Sequence, residues 1–161
     1  TDPMTGLANR ARLSDYSEKM MEYCREQKIP LAMEIIDIDY FKQYNDCYGH
    51  QAGDECIIAI AEQLKRMQSD RIFCARYGGD EFIALLNDVS EDEVKSIIKK
   101  VQDEANRYNE LSKQIYIEFA YGYALSINYQ EANLKVLLNQ ADKNMYECKT
   151  RMKQAKQNLK K

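Results

Sequence analysis

The chain has 161 residues, 45% hydrophobic and 30% charged, which suits one domain with a real core. Its 26 acidic residues outnumber 23 Lys and Arg, and the formal charge of −3 argues against the basic face that a large nucleic-acid footprint needs. No apolar run reaches the roughly 20 residues that span a bilayer, and the five cysteines, odd in number and without a CxxC pair, read as reduced thiols of a cytosolic protein with no zinc site.

The opening residues are polar and turn-like, without a signal-peptide pattern. A helix is predicted over 9–27, with Leu13, Tyr16, Met20 and Cys24 on one face, and Pro30 marks its end. Residues 31–36 form a short apolar run that suits a buried strand, closed by the acidic cluster Asp37-Ile38-Asp39. A short helix is expected over 40–46 and a loop over 49–53. Asp54 then opens an amphipathic helix whose stripe is Ile57, Ile60, Ala61, Leu64 and Met67.

Two strand-like runs, 71–77 and 81–86, flank Gly78-Gly79-Asp80. A Gly-Gly pair there signals a hairpin, because glycine tolerates the positive φ such turns use. Residues 90–111 read as a helix with Ser90 as N-cap, Glu93 completing a capping box, and Val94, Ile97, Ile98 and Val101 inside. Residues 115–119 and 120–127 read as one or two strands. The last helix runs from 134 past 149, with Leu134, Leu137, Leu138, Ala141 and Met145 inward and a frayed Lys-rich end over 153–161.

Strands alternating with helices around one tight hairpin argue for an α/β sandwich. The order β-α-β-β-α-β is that of a ferredoxin-like core, a central antiparallel sheet flanked by helices. Asp37 would end the first strand and Asp80 would sit on the hairpin of its neighbours, so the two carboxylates can meet at one edge. Two acidic clusters on separate turns suit Mg²⁺, which takes oxygen ligands and keeps substrate phosphate in its shell. Taken singly, Asp37 and Asp39 read equally well as a helix cap, and Gly-Gly hairpins are common.

Together these segments are far more specific. Asp2-Pro3-Met4-Thr5-Gly6-Leu7-Ala8-Asn9-Arg10, the stretch from Asp37 to Asp46, Gly49-His50-Gln51-Ala52-Gly53-Asp54, Arg76-Tyr77-Gly78-Gly79-Asp80-Glu81-Phe82 and the stretch from Ala141 to Lys149 resemble, in order and spacing, the signature segments of the GGDEF domain of bacterial diguanylate cyclases. The resemblance implies a nucleotidyl-cyclase-like fold and one such domain over 1–161, excised from a longer chain. It implies condensation of two GTP into cyclic di-GMP and pyrophosphate by Mg-dependent phosphoryl transfer, with Mn possible.

Residue by residue, the resemblance implies Mg²⁺ on Asp37 and Asp80, helped by the main-chain carbonyl of Ile38. Asp80 would help remove the hydroxyl proton, with Glu81 beside it. Asn45 and Asp54 would read guanine, whose Watson–Crick N–H donors suit a carboxylate. His50 is placed near the substrate, although a lone His packs a loop equally well. Phe41 and Lys42 lie where phosphates meet main-chain N–H groups, the Phe41 ring itself reading as core. Lys149 and Lys153 would reach the phosphates, although a lysine at a helix end is ordinarily just solvated. One domain holds one GTP, so catalysis implies a homodimer. Nucleic acid and membrane contact are not expected of this domain, and a cytoplasmic location is, whether or not the full-length chain is membrane-anchored.

Departures from the pattern are Met4, the two phenols in Ala120-Tyr121-Gly122-Tyr123-Ala124, Met152, and Lys153 where Arg is more frequent. The last two weaken the phosphate role of Lys153. The family's feedback motif, Arg-x-x-Asp, is answered here by Ser69-Asp70-Arg71-Ile72, with neither residue in place. Rival readings are a catalytically silent GTP-binding signalling module and a purely structural dimerisation domain.

Overall fold

The structure, a computed structural model, describes residues 1–42, 49–111, 115–128 and 133–159; for 39–42, 49–52 and 115–116 it describes the main chain. Helix α1 spans Arg10–Gln27. Asn9 caps it by accepting from the Arg12 N–H at 2.9 Å, and Lys28 ends it in the left-handed region at φ 57°. Strand β1 is Leu31–Lys42, α2 is Gly49–Met67, and β2 and β3 are Ile72–Arg76 and Glu81–Asn87. Helix α3 is Glu91–Leu111, β4 is Ile115–Leu125 followed by a 3-10 turn at Ser126–Asn128, and α4 is Leu134–Leu159.

The four strands form one antiparallel sheet in the order β2-β3-β1-β4, with helices on both faces. This is the expected β-α-β-β-α-β arrangement with α1 added before it and α4 after it. Side chains alternate along β1. Ala32, Ile36 and Ile38 join the core under α2 and α3, whereas Leu31, Met33 and Ile35 join the core under α1 and α4. The predicted stripe of α2 is buried throughout, from Ile57 to Met67. In α1 the buried residues are Leu13, Ser17, Met21 and Cys24, with Tyr16 and Met20 partly buried beside them. The capping box is present: the Glu93 N–H donates to Ser90 Oγ at 3.2 Å, and the Ser90 N–H donates to Glu93 Oε1 at 3.4 Å.

Four expectations are corrected. Residues 40–42 are strand, not helix, because β1 continues past β3 and pairs with the long β4 as far as Lys42↔Ile115. Asp37 therefore does not end β1; it marks where β3 leaves, Asp37↔Glu81 being the last pair on that side. The glycines at 49 and 53 do not make a loop, since α2 starts at Gly49 and carries Gly53 buried within it. Helix propensity is a weak preference that packing overrides. The Lys-rich end is helical to Leu159, held by Lys156, whose ammonium meets Glu118 of β4 at 2.8 Å.

Helix α4 docks on β4 through Gly122. A Cβ there would lie 2.2 Å from both the Ala141 carbonyl oxygen and the Met145 nitrogen, so backbone meets backbone. The outer edge of β4 is capped by side-chain amides. Asn109 accepts from the Ile117 N–H at 2.6 Å and donates to its carbonyl at 2.8 Å, and Asn144 Nδ2 donates to the Tyr123 carbonyl at 3.0 Å. These amides satisfy edge groups that would otherwise template pairing with another chain.

Candidate active site

The site is assembled where β3 leaves β1. The Ile38 N–H donates to the Asp80 carbonyl at 2.9 Å, so the main chain of the hairpin is pinned to β1 beside Asp37. Asp37 and Glu81 face one another in register, and directly opposed residues share a face of the sheet. That face carries α4, and the Lys149 ammonium forms an ion pair with Asp37 Oδ2. Asp37 is only 4% exposed, so its charge is held by protein groups and not by bulk water.

The hairpin is closed by N–H groups of Tyr77 and Gly78 donating to the Glu81 carbonyl at 2.8 and 3.2 Å. Arg76 braces it, donating to the Gly79 carbonyl at 2.7 Å and pairing with Asp2 at 3.3 Å. Neither Gly78 nor Gly79 takes a positive φ, so the turn does not need glycine for the reason expected from sequence. A Cβ on Gly79 would meet nothing within 4 Å, and one on Gly78 would make only ordinary contact with Glu81. The glycines leave the main chain bare toward open space, as a surface for close ligand approach requires.

Burial is the first cause of a raised Glu81 pKa; the charges of Asp37, Asp80 and Asp142 add to it, and Lys149 opposes them. Among the described residues, Glu81 thus has three carboxylates and the Lys149 ammonium around it, an excess of negative charge. The donors are all hard oxygens, which fits Mg²⁺ or Mn²⁺. Among the described residues no three acids converge into a closed cage. The set therefore fits a cation held by a few carboxylates with phosphate completing its shell.

Asp142 received no role from sequence reasoning. Its signal is helical phase: it lies two turns before Lys149 on α4, hence on the same face. Lys153 follows Lys149 by one turn and is exposed, and Asp54 is exposed near the start of α2. Ile38 is buried in the core with its N–H spent on Asp80. Asn45 lies outside the described residues, as do the side chains of Phe41, Lys42 and His50. The structure thus brings together Asp37, Ile38, Asp80, Glu81 and Lys149, and adds Asp142.

The two extra phenols of β4 also have an account. Tyr123 donates its hydroxyl to Glu91 Oε1 at 2.7 Å, tying β4 to the start of α3, and burial with that bond raises its pKa. Tyr121 packs at a tilt on Phe119, ring centroids 6.1 Å apart. Register sets both opposite the β1 residues that face α2 and α3, Ile36 and Glu34, and Tyr121 packs against the other core as well.

Sheet order and flanking helices define a nucleotidyl-cyclase-like α/β domain. Residues 1–155 match the family described as diguanylate cyclase, GGDEF domain, and the chain belongs to that family. Diguanylate cyclase DgcN of Escherichia coli K12 is 37% identical over 151 residues, which are 92% of this chain and 36% of that protein. The GGDEF domain of Pseudomonas aeruginosa TpbB, or YfiN, matches with a TM-score of 0.80 at 30% identity, covering 93% of this chain and 88% of the other. The GGDEF domain of Caulobacter crescentus DgcB, solved in complex with c-di-GMP, matches with a TM-score of 0.78 at 25% identity, covering 93% and 90%. Across eight curated relatives the chain spans between 12% and 46% of the relative's own length.

Proposed function

We propose that the chain is one GGDEF domain, part of a longer protein, and that it condenses two GTP into cyclic di-GMP and two pyrophosphates. The observation that carries this reading is the junction itself: Asp37 opposite Glu81, the Asp80 main chain bonded to Ile38, and Lys149 alongside, under an open Gly78-Gly79 turn. The family's cyclases are metal-dependent. In this reading Asp37, Asp80 and the Ile38 carbonyl hold Mg²⁺, with Mn²⁺ as a substitute. When bound, the cation neutralises phosphate charge and favours the attacking alkoxide.

Each 3′-hydroxyl attacks the α-phosphorus of the facing GTP. The new O–P bond forms as the bond to the β-phosphate oxygen breaks, and pyrophosphate carries away the electron pair. Asp80, with Glu81 beside it, takes the hydroxyl proton. Lys149 and Lys153, with the main chain at Phe41 and Lys42, bind phosphate. Asn45, Asp54 and His50 surround guanine, and Asp54 accepts from its N–H donors. Because each domain carries one nucleotide, two copies face each other in a homodimer. No helix among the described residues is long and apolar enough to cross a membrane, and the reading places the domain in the cytoplasm.

The test is incubation with GTP and Mg²⁺ or Mn²⁺ at high protein concentration, followed by product identification by mass spectrometry. Cyclic di-GMP is the expected product. Metal-dependent GTP binding without product would instead identify a silent signalling module, and no GTP binding would leave a structural domain. ATP should bind roughly ten- to a hundredfold more weakly than GTP by calorimetry, because Asp54 facing an acceptor loses about 1–3 kcal/mol.

A further inference from the structure

Asp37 is a nearly inaccessible carboxylate, and the cation facing it is part of the chain. The Lys149 side chain is 29% exposed, so it reaches Asp37 from the solvent side and is not sealed in. Its backbone is fixed. One turn earlier α4 is pressed against Gly122, Asn144 holds the Tyr123 carbonyl at 3.0 Å, and beyond it Lys156 is anchored on Glu118 at 2.8 Å. A flexible four-carbon stem on a fixed helix permits the ammonium to swing while α4 stays in place. A dication and an ammonium on one carboxylate repel each other, so they compete for it.

Resting on the reading of this junction as the metal and triphosphate site, we propose that Lys149 is a built-in stand-in for the divalent cation. In the nucleotide-free protein it neutralises Asp37, and on loading it exchanges that carboxylate for triphosphate oxygens. The exchange has two consequences. The free domain has an ammonium on Asp37 without metal, and metal alone binds more weakly than metal with nucleotide because it must displace that ammonium. A triphosphate supplies the new partner, so metal and nucleotide strengthen each other's binding, as linkage demands.

The test measures Mn²⁺ binding without nucleotide, by the electron paramagnetic resonance of free Mn²⁺. Lys149→Met should tighten Mn²⁺ at least about tenfold, whereas Lys149→Arg, which keeps the charge, should stay near wild type. Unchanged or weaker Mn²⁺ binding by Lys149→Met overturns the exchange. Because that variant removes a charge beside a buried carboxylate, wild-type protein with ¹³C-labelled lysine provides a measurement independent of its folding. The Lys149 ε-carbon resonance, assigned by its loss in Lys149→Arg, should shift on saturation with Mg²⁺ alone, and a fixed resonance overturns the proposal. Wild-type binding of GTP with Mg²⁺, measured separately, tests the functional reading: its loss sinks that reading, whereas unaltered lysine behaviour sinks only the exchange.

Discussion

At the scale of single residues, Glu34 is the anomaly. It sits in β1 with 0% exposure, and neither carboxylate oxygen has a hydrogen-bond partner among the described residues. It shares a row across the sheet with Cys74, Ala84 and Tyr123, under α2 and α3. Burial pushes its pKa well above 4.5 and pushes the neighbouring Cys74 thiol up to about 12. A raised carboxyl pKa means that the folded state keeps a proton the unfolded chain releases. The stability it permits is full below about pH 4.5 and is lost as pH rises toward the folded pKa. Denaturation midpoints should therefore fall with pH above that point. Glu34→Met should flatten the slope and add about 1–3 kcal/mol at neutral pH. A lower midpoint for Glu34→Met at pH 8 would contradict this account. Asp80 is the opposite case. Its contribution to the fold is a main-chain carbonyl, which Asp80→Ala keeps. That variant should change stability by no more than about 0.5 kcal/mol and lose cyclase activity. Near-normal turnover by a folded Asp80→Ala protein would remove Asp80 from the metal and proton-transfer roles.

At the scale of elements, the junction of α4 with β4 decides the most. The Gly122 contact is with main-chain atoms of Ala141 and Met145, which cannot rotate away as a side-chain tip can. Gly122→Ala should destabilise by about 3 kcal/mol, at the upper end of ordinary overpacking, and should disturb Lys149 and Asp142, because both ride on α4. Urea unfolding checks the first effect and metal–nucleotide affinity the second. A loss below about 0.5 kcal/mol would mean that α4 slides without penalty. Periodicity alone gives little notice of this contact, since a glycine inside a strand reads as a weakness until the helix above it is seen. The hairpin behaves differently. Its position is legible from Gly78-Gly79, yet the reason for glycine is open approach and not positive φ.

At the scale of the whole molecule, the region answering to the family's feedback motif is spent on structure. Arg71 pairs with Glu93 at 2.7 Å and bonds to the Asp88 carbonyl, binding the start of β2 to the β3–α3 connection. Ser69 and Ile72 supply no charge. Cyclic di-GMP should then inhibit only by competing with GTP, checked by initial rates at several product concentrations; a non-competitive pattern at micromolar product would reveal a feedback site built from other residues. The sequence by itself determined the core order β-α-β-β-α-β, the buried stripe of α2, the Ser90 cap and the family, because each is a local pattern of spacing or a contiguous motif. Only the tertiary structure decided that β1 runs on to Lys42, because that depends on a partner strand remote in the chain. The same holds for the pairing of Lys149 with Asp37, for the place of Asp142, and for the burial of Glu34. Each is a meeting of side chains from separate elements, and a one-dimensional pattern carries no record of which faces the folded sheet brings together.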